Sequence, residues 1–394
     1  MKNNYFVLLF FLAFTKSFLA QVQLSVYSEV SIVTAGPGTE LYEAFGHSAI
    51  RIKDPVLKLD LIYNYGMFDF NAPNFYANFT KGKLKYKLGR YRFEYFLDSY
   101  KQQKRWVKQQ VLNLSQKEKQ AFFIYLENNA LPQNAPYFYD PYFNNCATKL
   151  RDISKDILAD KLQFIASDLE KGLSFRQLMD REIYWNTWGS FGINLALGAK
   201  LDETATFEQY MYLPDYVYLI FKNSKVFVEN QPENLVKRED VLLEFKEKEQ
   251  KTSIYNPFLI FSIITLIGLF FTFKDYKNNK RTRLLDFILL FTTGLVGVLI
   301  CFLWFFTDHS TTPNNFNILW AFAPNILISF LMLSKQPKNW LRNYFRFSLV
   351  LLLAIPFLWF LKVQQFPLAI LPFLVLIVAR YFFLSFNIGY KTFK

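Results

Sequence analysis

Tyr139-Asp140-Pro141-Tyr142-Phe143-Asn144-Asn145-Cys146-Ala147-Thr148 is the stretch on which the fold reading turns. After the paired asparagines, apolar residues recur at Leu150, Ile153, Ile157 and Leu158, which predicts a helix opening at Cys146. The first turn of a helix has free N–H groups and the positive end of the dipole, and both favour a thiolate. The same N–H groups suit an oxyanion.

Working outward, Gly46-His47-Ser48-Ala49-Ile50-Arg51-Ile52 places His47 at the start of a strand. The chain has two cysteines, Cys146 and Cys301, and two histidines, His47 and His309. Cys301 lies in an apolar run, so Cys146 is expected to be a free thiol. A histidine beside that thiol would take its proton and return it as a general acid. The alternative is a buried structural cysteine and an unrelated strand histidine. If 48–53 and 59–65 form a hairpin turning near Val56, residue 47 falls opposite residue 64 or 65. Asn64 is then the first candidate to orient the imidazole, with Asp69 and Asp140 behind it.

The surrounding domain reads as α+β. Val30–Thr34, Ser48–Lys53 and Leu59–Tyr65 predict short strands, and Ser115-x-x-Glu118 is a capping box for a helix to about Asn128. Gly36-Pro37-Gly38-Thr39 lacks the lysine and the spacing of a phosphate loop and predicts a turn. Tyr137, Tyr139, Tyr142 and Phe143 fit an acyl groove or core packing equally well. With one His, one Cys and no clustered carboxylates in this part, neither a metal nor another cofactor is expected.

Toward the termini the chain changes character. Met1-Lys2-Asn3-Asn4, the apolar run from Tyr5 to Phe14 and a small residue at Ala20 predict a secretory signal over 1–20. Residues 21–230 are expected to form the catalytic domain, and the charged stretch 231–256 a linker. A membrane domain over 257–386 and a cytoplasmic tail over 387–394 complete the chain. Five apolar runs, at about 257–273, 284–306, 317–334, 345–362 and 367–386, are each long enough to span a hydrocarbon core of about 30 Å. Lys274, Lys277, Lys280, Arg281 and Arg283 crowd the first loop and Lys335, Lys338 and Arg342 the third, which puts both loops in the cytoplasm. The loop from Thr307 to Phe316, with His309, then faces the exported domain. The net charge of +13 is largely this topology signal, and nucleic-acid binding is not expected.

The order His47 before Cys146, with Gly-His-Ser-Ala-Ile and Asn-Cys, resembles the circularly permuted papain-like folds, which include cell-wall amidases and lecithin:retinol acyltransferase-like enzymes. More closely, the chain resembles the Lnb-type N-terminal periplasmic domain. Phe45-Gly46-His47-Ser48, Asn64-Tyr65-Gly66-Met67-Phe68-Asp69-Phe70, Leu112-Asn113-Leu114-Ser115 and Tyr139 to Thr148 carry that resemblance. A fainter one continues through His309, Asn315, Asn317 and Trp320.

The resemblance implies an inner-membrane lipoprotein N-acyltransferase with a permuted papain-like α+β domain and a bundle of about five helices. A membrane phospholipid would be its acyl donor and diacylated lipoproteins its acceptors. Cys146 would be the nucleophile and His47 the base. Apart from the resemblance, His309, from its place in the loop facing the exported domain, and Asn145, Tyr139 and Asp140, from their places around Cys146, are the candidate substrate contacts. A cysteine peptidase or amidase of the cell wall is the alternative enzyme. An envelope assembly factor is the non-enzymatic one.

Overall fold

A computed structural model describes residues 22–247 and 253–389. The expected secretory signal at 1–20 and the tail beyond 389 lie outside the described residues. Strands β1 (Glu29–Ala35), β2 (His47–Asp54) and β3 (Leu59–Met67) come first, then α1 (Phe75–Thr80), β4 (Lys85–Arg92), α2 (Phe93–Gln103) and β5 (Val107–Leu112). After them come α3 (Gln116–Asn129), β6 (Pro136–Phe138), α4 (Cys146–Leu158), β7 (Leu162–Gln163), α5 (Phe175–Glu182), α6 (Trp188–Ala196), α7 (Phe207–Tyr210) and α8 (Pro214–Asn223). Strands β8 (Lys225–Val228), β9 (Gln231–Asn234) and β10 (Val236–Leu243) close the domain. Seven strands form one sheet in the order β10-β5-β1-β2-β3-β4-β6, and β7-β8-β9 form a second.

Alternation along the strands buries both faces of the large sheet. Ile32, Ile50, Ile52 and Tyr63 point to the face covered by Phe122 and Leu126 of α3, Leu150 and Ile153 of α4, and Val217 and Ile220 of α8. Val33, Ala49 and Ile62 point the other way, onto Phe93 and Phe96 of α2. The capping box opens α3 as expected: Ser115 N–H donates to Glu118 Oε2 (2.8 Å), and Glu118 N–H to Ser115 Oγ (3.3 Å). Between β2 and β3 the turn is held by Asp54 Oδ1, which accepts from Val56 N–H (2.9 Å) and Leu57 N–H (3.1 Å).

Residues 231–243, read from sequence as the start of a linker, are instead strands β9 and β10, and β10 pairs with β5 along the sheet edge. Its charges suit that edge, which they protect from further pairing. Arg238 pairs with Glu29 (3.0 Å), Lys222 with Glu239 (2.9 Å), and Gln109 Nε2 donates to Asp240 (2.8 Å).

The membrane part contains α9 (Pro257–Asn278), α10 (Arg283–Phe305), α11 (Asn325–Leu331), α12 (Trp340–Phe360) and α13 (Leu371–Asn387). Among the described residues, four helices are long and apolar enough to cross a membrane, the last counted from Leu368. The third apolar run, expected as a continuous helix over 317–334, is broken into a 3-10 turn at Phe316–Leu319 and the short α11. Pro324, which has no N–H to donate, stands at the break. The irregular backbone is covered by glycines of α10: a Cβ on Gly294 would lie 2.1 Å from Ile326 N, and one on Gly297 2.0 Å from Ala321 O. Asn325 Nδ2 donates to Thr293 Oγ1 (2.9 Å) and Tyr381 Oη (3.1 Å), which ties the break to α10 and α13.

The two parts are bonded to each other at several points. Phe191 of α6 belongs to the core of the bundle, and Trp188 Nε1 donates to Tyr255 O (2.7 Å). Gly198 N–H donates to Thr311 O (2.9 Å), Ala199 N–H to Asn314 O (3.0 Å) and Asp308 N–H to Lys81 O (2.8 Å).

Candidate active site

Asn145 caps α4 and thereby sets the position of Cys146. Its Oδ1 accepts from Thr148 N–H (2.9 Å), while its Nδ2 donates to Pro141 O (2.7 Å) and Tyr212 O (2.8 Å). The Asn145 amide is therefore spent on internal partners. It fixes the turn that carries Cys146.

Cys146 is 8% exposed at the first position of α4. His47 opens β2, and its Nε2 meets Asn64 Oδ1 at 2.6 Å. That leaves Nδ1 for the thiol, and the ring and the thiol are hydrogen-bonded. Asn64 Nδ2 in turn donates to Tyr91 Oη (2.9 Å) on β4. The chain Tyr91–Asn64–His47–Cys146 thus holds the imidazole from behind, the arrangement a proton-transferring histidine needs.

Burial opposes charge on both members of the pair, but their attraction to each other overrides it. His47 is raised above the ordinary histidine value by the Cys146 thiolate and by Asn64. Cys146 is lowered below the ordinary thiol value by the imidazolium and by the N–H groups of Ser48 and Ala147. Both shifts move the pair toward thiolate and imidazolium, and the two groups titrate jointly. Alkylation of Cys146 by iodoacetamide, followed against pH, is expected to rise through a midpoint below about 8.5, the value of a free cysteine. His47→Ala is expected to move that midpoint up. A midpoint at or above that of free cysteine in the unmodified protein contradicts the ion pair.

The strand register places the third group differently from the simple hairpin reading. The pairing of β2 with β3 runs from Ile50↔Tyr63 to Asp54↔Leu59, so Asn64 and His47 meet past its end and not as direct cross-strand partners. A bulge between Asn64 and Met67 interrupts the β3–β4 pairing, and Gly66 within it has φ +92°. A Cβ on Gly66 would lie 3.4 Å from Tyr139 Cε2 and 3.9 Å from Cys146 Cβ, so the bulge brings bare backbone to the edge of the site. A glycine inside a strand is the signal that makes this bulge findable in sequence. Tyr91 and the Ser48 N–H carry no such signal.

Tyr139 lines the site through that contact. Asp69 Oδ1 accepts from Asn71 N–H (2.8 Å) in an exposed turn. Asp140 braces the turn before Cys146: its Oδ1 accepts from Tyr142 N–H (2.8 Å) and Phe143 N–H (3.0 Å), and its Oδ2 from the Ser310 hydroxyl of the membrane domain. His309, one residue away, packs over Gly82, where a Cβ would lie 2.6 Å from His309 N. Its neighbour Asp308 bonds the same α1–β4 turn through Lys81 O (2.8 Å). Gly36 and Gly38 form the expected turn, closed by Gly36 N–H on Trp106 O (2.9 Å) and Gly38 N–H on Glu43 O (3.0 Å). Among the described residues, no group of His, Cys, Asp and Glu side chains is arranged to hold a metal ion.

The Ser310–Asp140 link joins the membrane domain to the loop that leads into Cys146. Asp140→Ala is expected to lower turnover about tenfold by loosening that loop, and Ser310→Ala by less, because the two N–H bonds to Asp140 survive. The kcat of each purified variant checks this ordering. Equal, unchanged rates in both would remove the brace from the account.

Two family models match the chain, the Lnb N-terminal periplasmic domain over residues 14–181 and the Lnb transmembrane domain over residues 248–392. The chain belongs to the Lnb family. No curated protein and no solved structure matches it. The Lnb periplasmic domain contains all four members of the chain from Tyr91 to Cys146, and the Lnb transmembrane domain contains the four apolar spans and the Ser310 loop.

Proposed function

We propose that the protein is a lipoprotein N-acyltransferase of the inner membrane, with Cys146 as nucleophile and His47 as the proton carrier. The observation that supports this most is a buried cysteine at a helix N-terminus, beside a histidine held by Asn64, in a domain hydrogen-bonded to a multi-helix membrane bundle. A soluble hydrolase has no use for such a bundle. An enzyme whose two substrates both sit in the bilayer does.

In the first step the Cys146 thiolate attacks an ester carbonyl of a phospholipid. The S–C bond forms, the C–O bond breaks, and the imidazolium of His47 gives its proton to the departing alkoxide. The products are an S-acyl thioester and a lysophospholipid. N–H groups at the first turn of α4 stabilise the charge that develops on the carbonyl oxygen. In the second step the α-amine of a diacylglyceryl cysteine attacks the thioester. The C–S bond breaks, neutral His47 takes the amine proton, and the thiolate–imidazolium pair is restored with an N-acyl lipoprotein released.

Mass spectrometry of lipoprotein N-terminal peptides, with and without this protein in the cell, tests the reading. The expected result is one additional acyl chain on the α-amine only when the protein is present. Identical peptides in both cells overturn it.

A further inference from the structure

The loop between β3 and β4 contains α1 and carries a row of aromatic rings that the dyad does not use. Tyr139, beside Gly66 and Cys146, stacks on Tyr86 with centroids 4.5 Å apart. Tyr86 meets Phe68 (5.0 Å), Phe68 meets Phe70 (4.8 Å), Phe70 meets Phe75 (5.2 Å), and Phe75 meets Phe79 (6.2 Å). Tyr86 is 8% exposed, whereas Phe70 and Phe79 are each 49% exposed and neighbouring Tyr76 70%. Soluble domains seldom leave three neighbouring aromatic side chains this open without a partner.

The outer end of the row lies where the membrane begins. Lys81 O accepts from Asp308 N–H (2.8 Å), Lys83 pairs with Asp308 (3.8 Å), and Gly82 touches His309. Asp308 is three residues past Phe305, the last residue of the spanning helix α10. Exposed Phe and Tyr followed by Lys81, Lys83 and Lys85 is the composition of a segment that lies in the interface, with its rings toward the acyl chains and its ammonium groups toward phosphates.

We propose that the β3–β4 loop enters the outer surface of the bilayer, and that its aromatic row guides one acyl chain of the phospholipid donor from the membrane to Cys146. The row is continuous at both ends. It meets the membrane domain at Lys81–Lys83 and the reaction site at Tyr139, and its apolar rings suit a hydrocarbon chain better than a peptide. This rests on the acyl-transfer reading for the donor's role, but the loop's contact with lipid stands apart from it.

The test uses the full chain in phosphatidylethanolamine vesicles containing a phospholipid with a photoreactive diazirine in its acyl chain. Adducts are expected on the peptide from Phe68 to Phe79, and they are expected to be lost in Phe70→Ser/Tyr76→Ser/Phe79→Ser. Labelling confined to the spanning helices overturns the proposal, whether or not Cys146 is ever acylated. In parallel, formation of the Cys146 thioester is compared for phosphatidylethanolamine and for p-nitrophenyl acetate, whose acyl group is too short to need a guide. The ratio of the two rates is expected to fall at least about tenfold in the triple variant. An unchanged ratio contradicts the donor path. A loss confined to transfer from a preformed thioester assigns the row to the acceptor and overturns it equally.

Discussion

Purified Cys146→Ala and His47→Ala are each expected to lose transfer of an acyl chain to a diacylated lipopeptide by about 10⁴-fold or more, while remaining folded and membrane-inserted. In the proposed mechanism both steps pass through this pair, so neither half of the reaction should survive either change. Combining the two is expected to add little, because residues acting as one unit do not contribute independently. The structural cost is small at Cys146, where alanine keeps the Cβ and the Asn145 cap is untouched. His47→Ala also frees Asn64, whose other bond to Tyr91 remains. Near-normal turnover in Cys146→Ala would remove the cysteine mechanism. Loss of the protein from the membrane fraction would make the effect one of folding, so insertion is measured on the same samples.

The second large effect is expected at Gly66. Its φ of +92° is a backbone conformation in which a β-branched side chain is strained by about 1–3 kcal/mol. A valine there also places its Cβ 3.4 Å from the Tyr139 ring and 3.9 Å from Cys146 Cβ, with two further carbons beyond. Gly66→Val is therefore expected to cut kcat/KM about 100-fold, by crowding the Tyr139 ring and shifting Cys146 relative to His47. It is expected to leave the bundle assembled, since the bulge is remote from the glycines of α10. Steady-state kinetics and the alkylation profile of Cys146 together check this. An unaltered kcat/KM would mean that the bulge does not border the reacting atoms.

The parts of this fold that follow local rules could be read from sequence. The capping box at Ser115, the Asn145 cap, the alternation of β2 and the placement of Cys146 and His47 at element ends depend only on near neighbours. Asn64 was legible as a residue type near the right place, although it meets His47 past the end of the β2–β3 ladder and not in direct pairing. What escaped depends on partners far along the chain. Strand β10 looks like a linker because its charges seem made for water, yet Glu29, Gln109 and Lys222 meet them across the sheet edge. Hydropathy counts side chains and ignores backbone, so the run at 317–334 reads as a helix. Pro324 breaks it, and Gly294 and Gly297 cover the break from 20 or more positions away. Asp140 was placed near the chemistry for its chemical type. Its bond to Ser310, 170 residues on, gives it a bracing role that no local pattern contains.

The most direct test of the account is the mass of the intact protein after incubation with a phospholipid of one defined acyl chain and no acceptor. The predicted result is an increase of one acyl group, mapped to the Cys146 peptide and released by neutral hydroxylamine, with stoichiometric lysophospholipid formed. Adding a diacylated lipopeptide should discharge it into an N-acyl product. No acyl adduct on Cys146, or the same adduct in Cys146→Ala, would contradict the central claim.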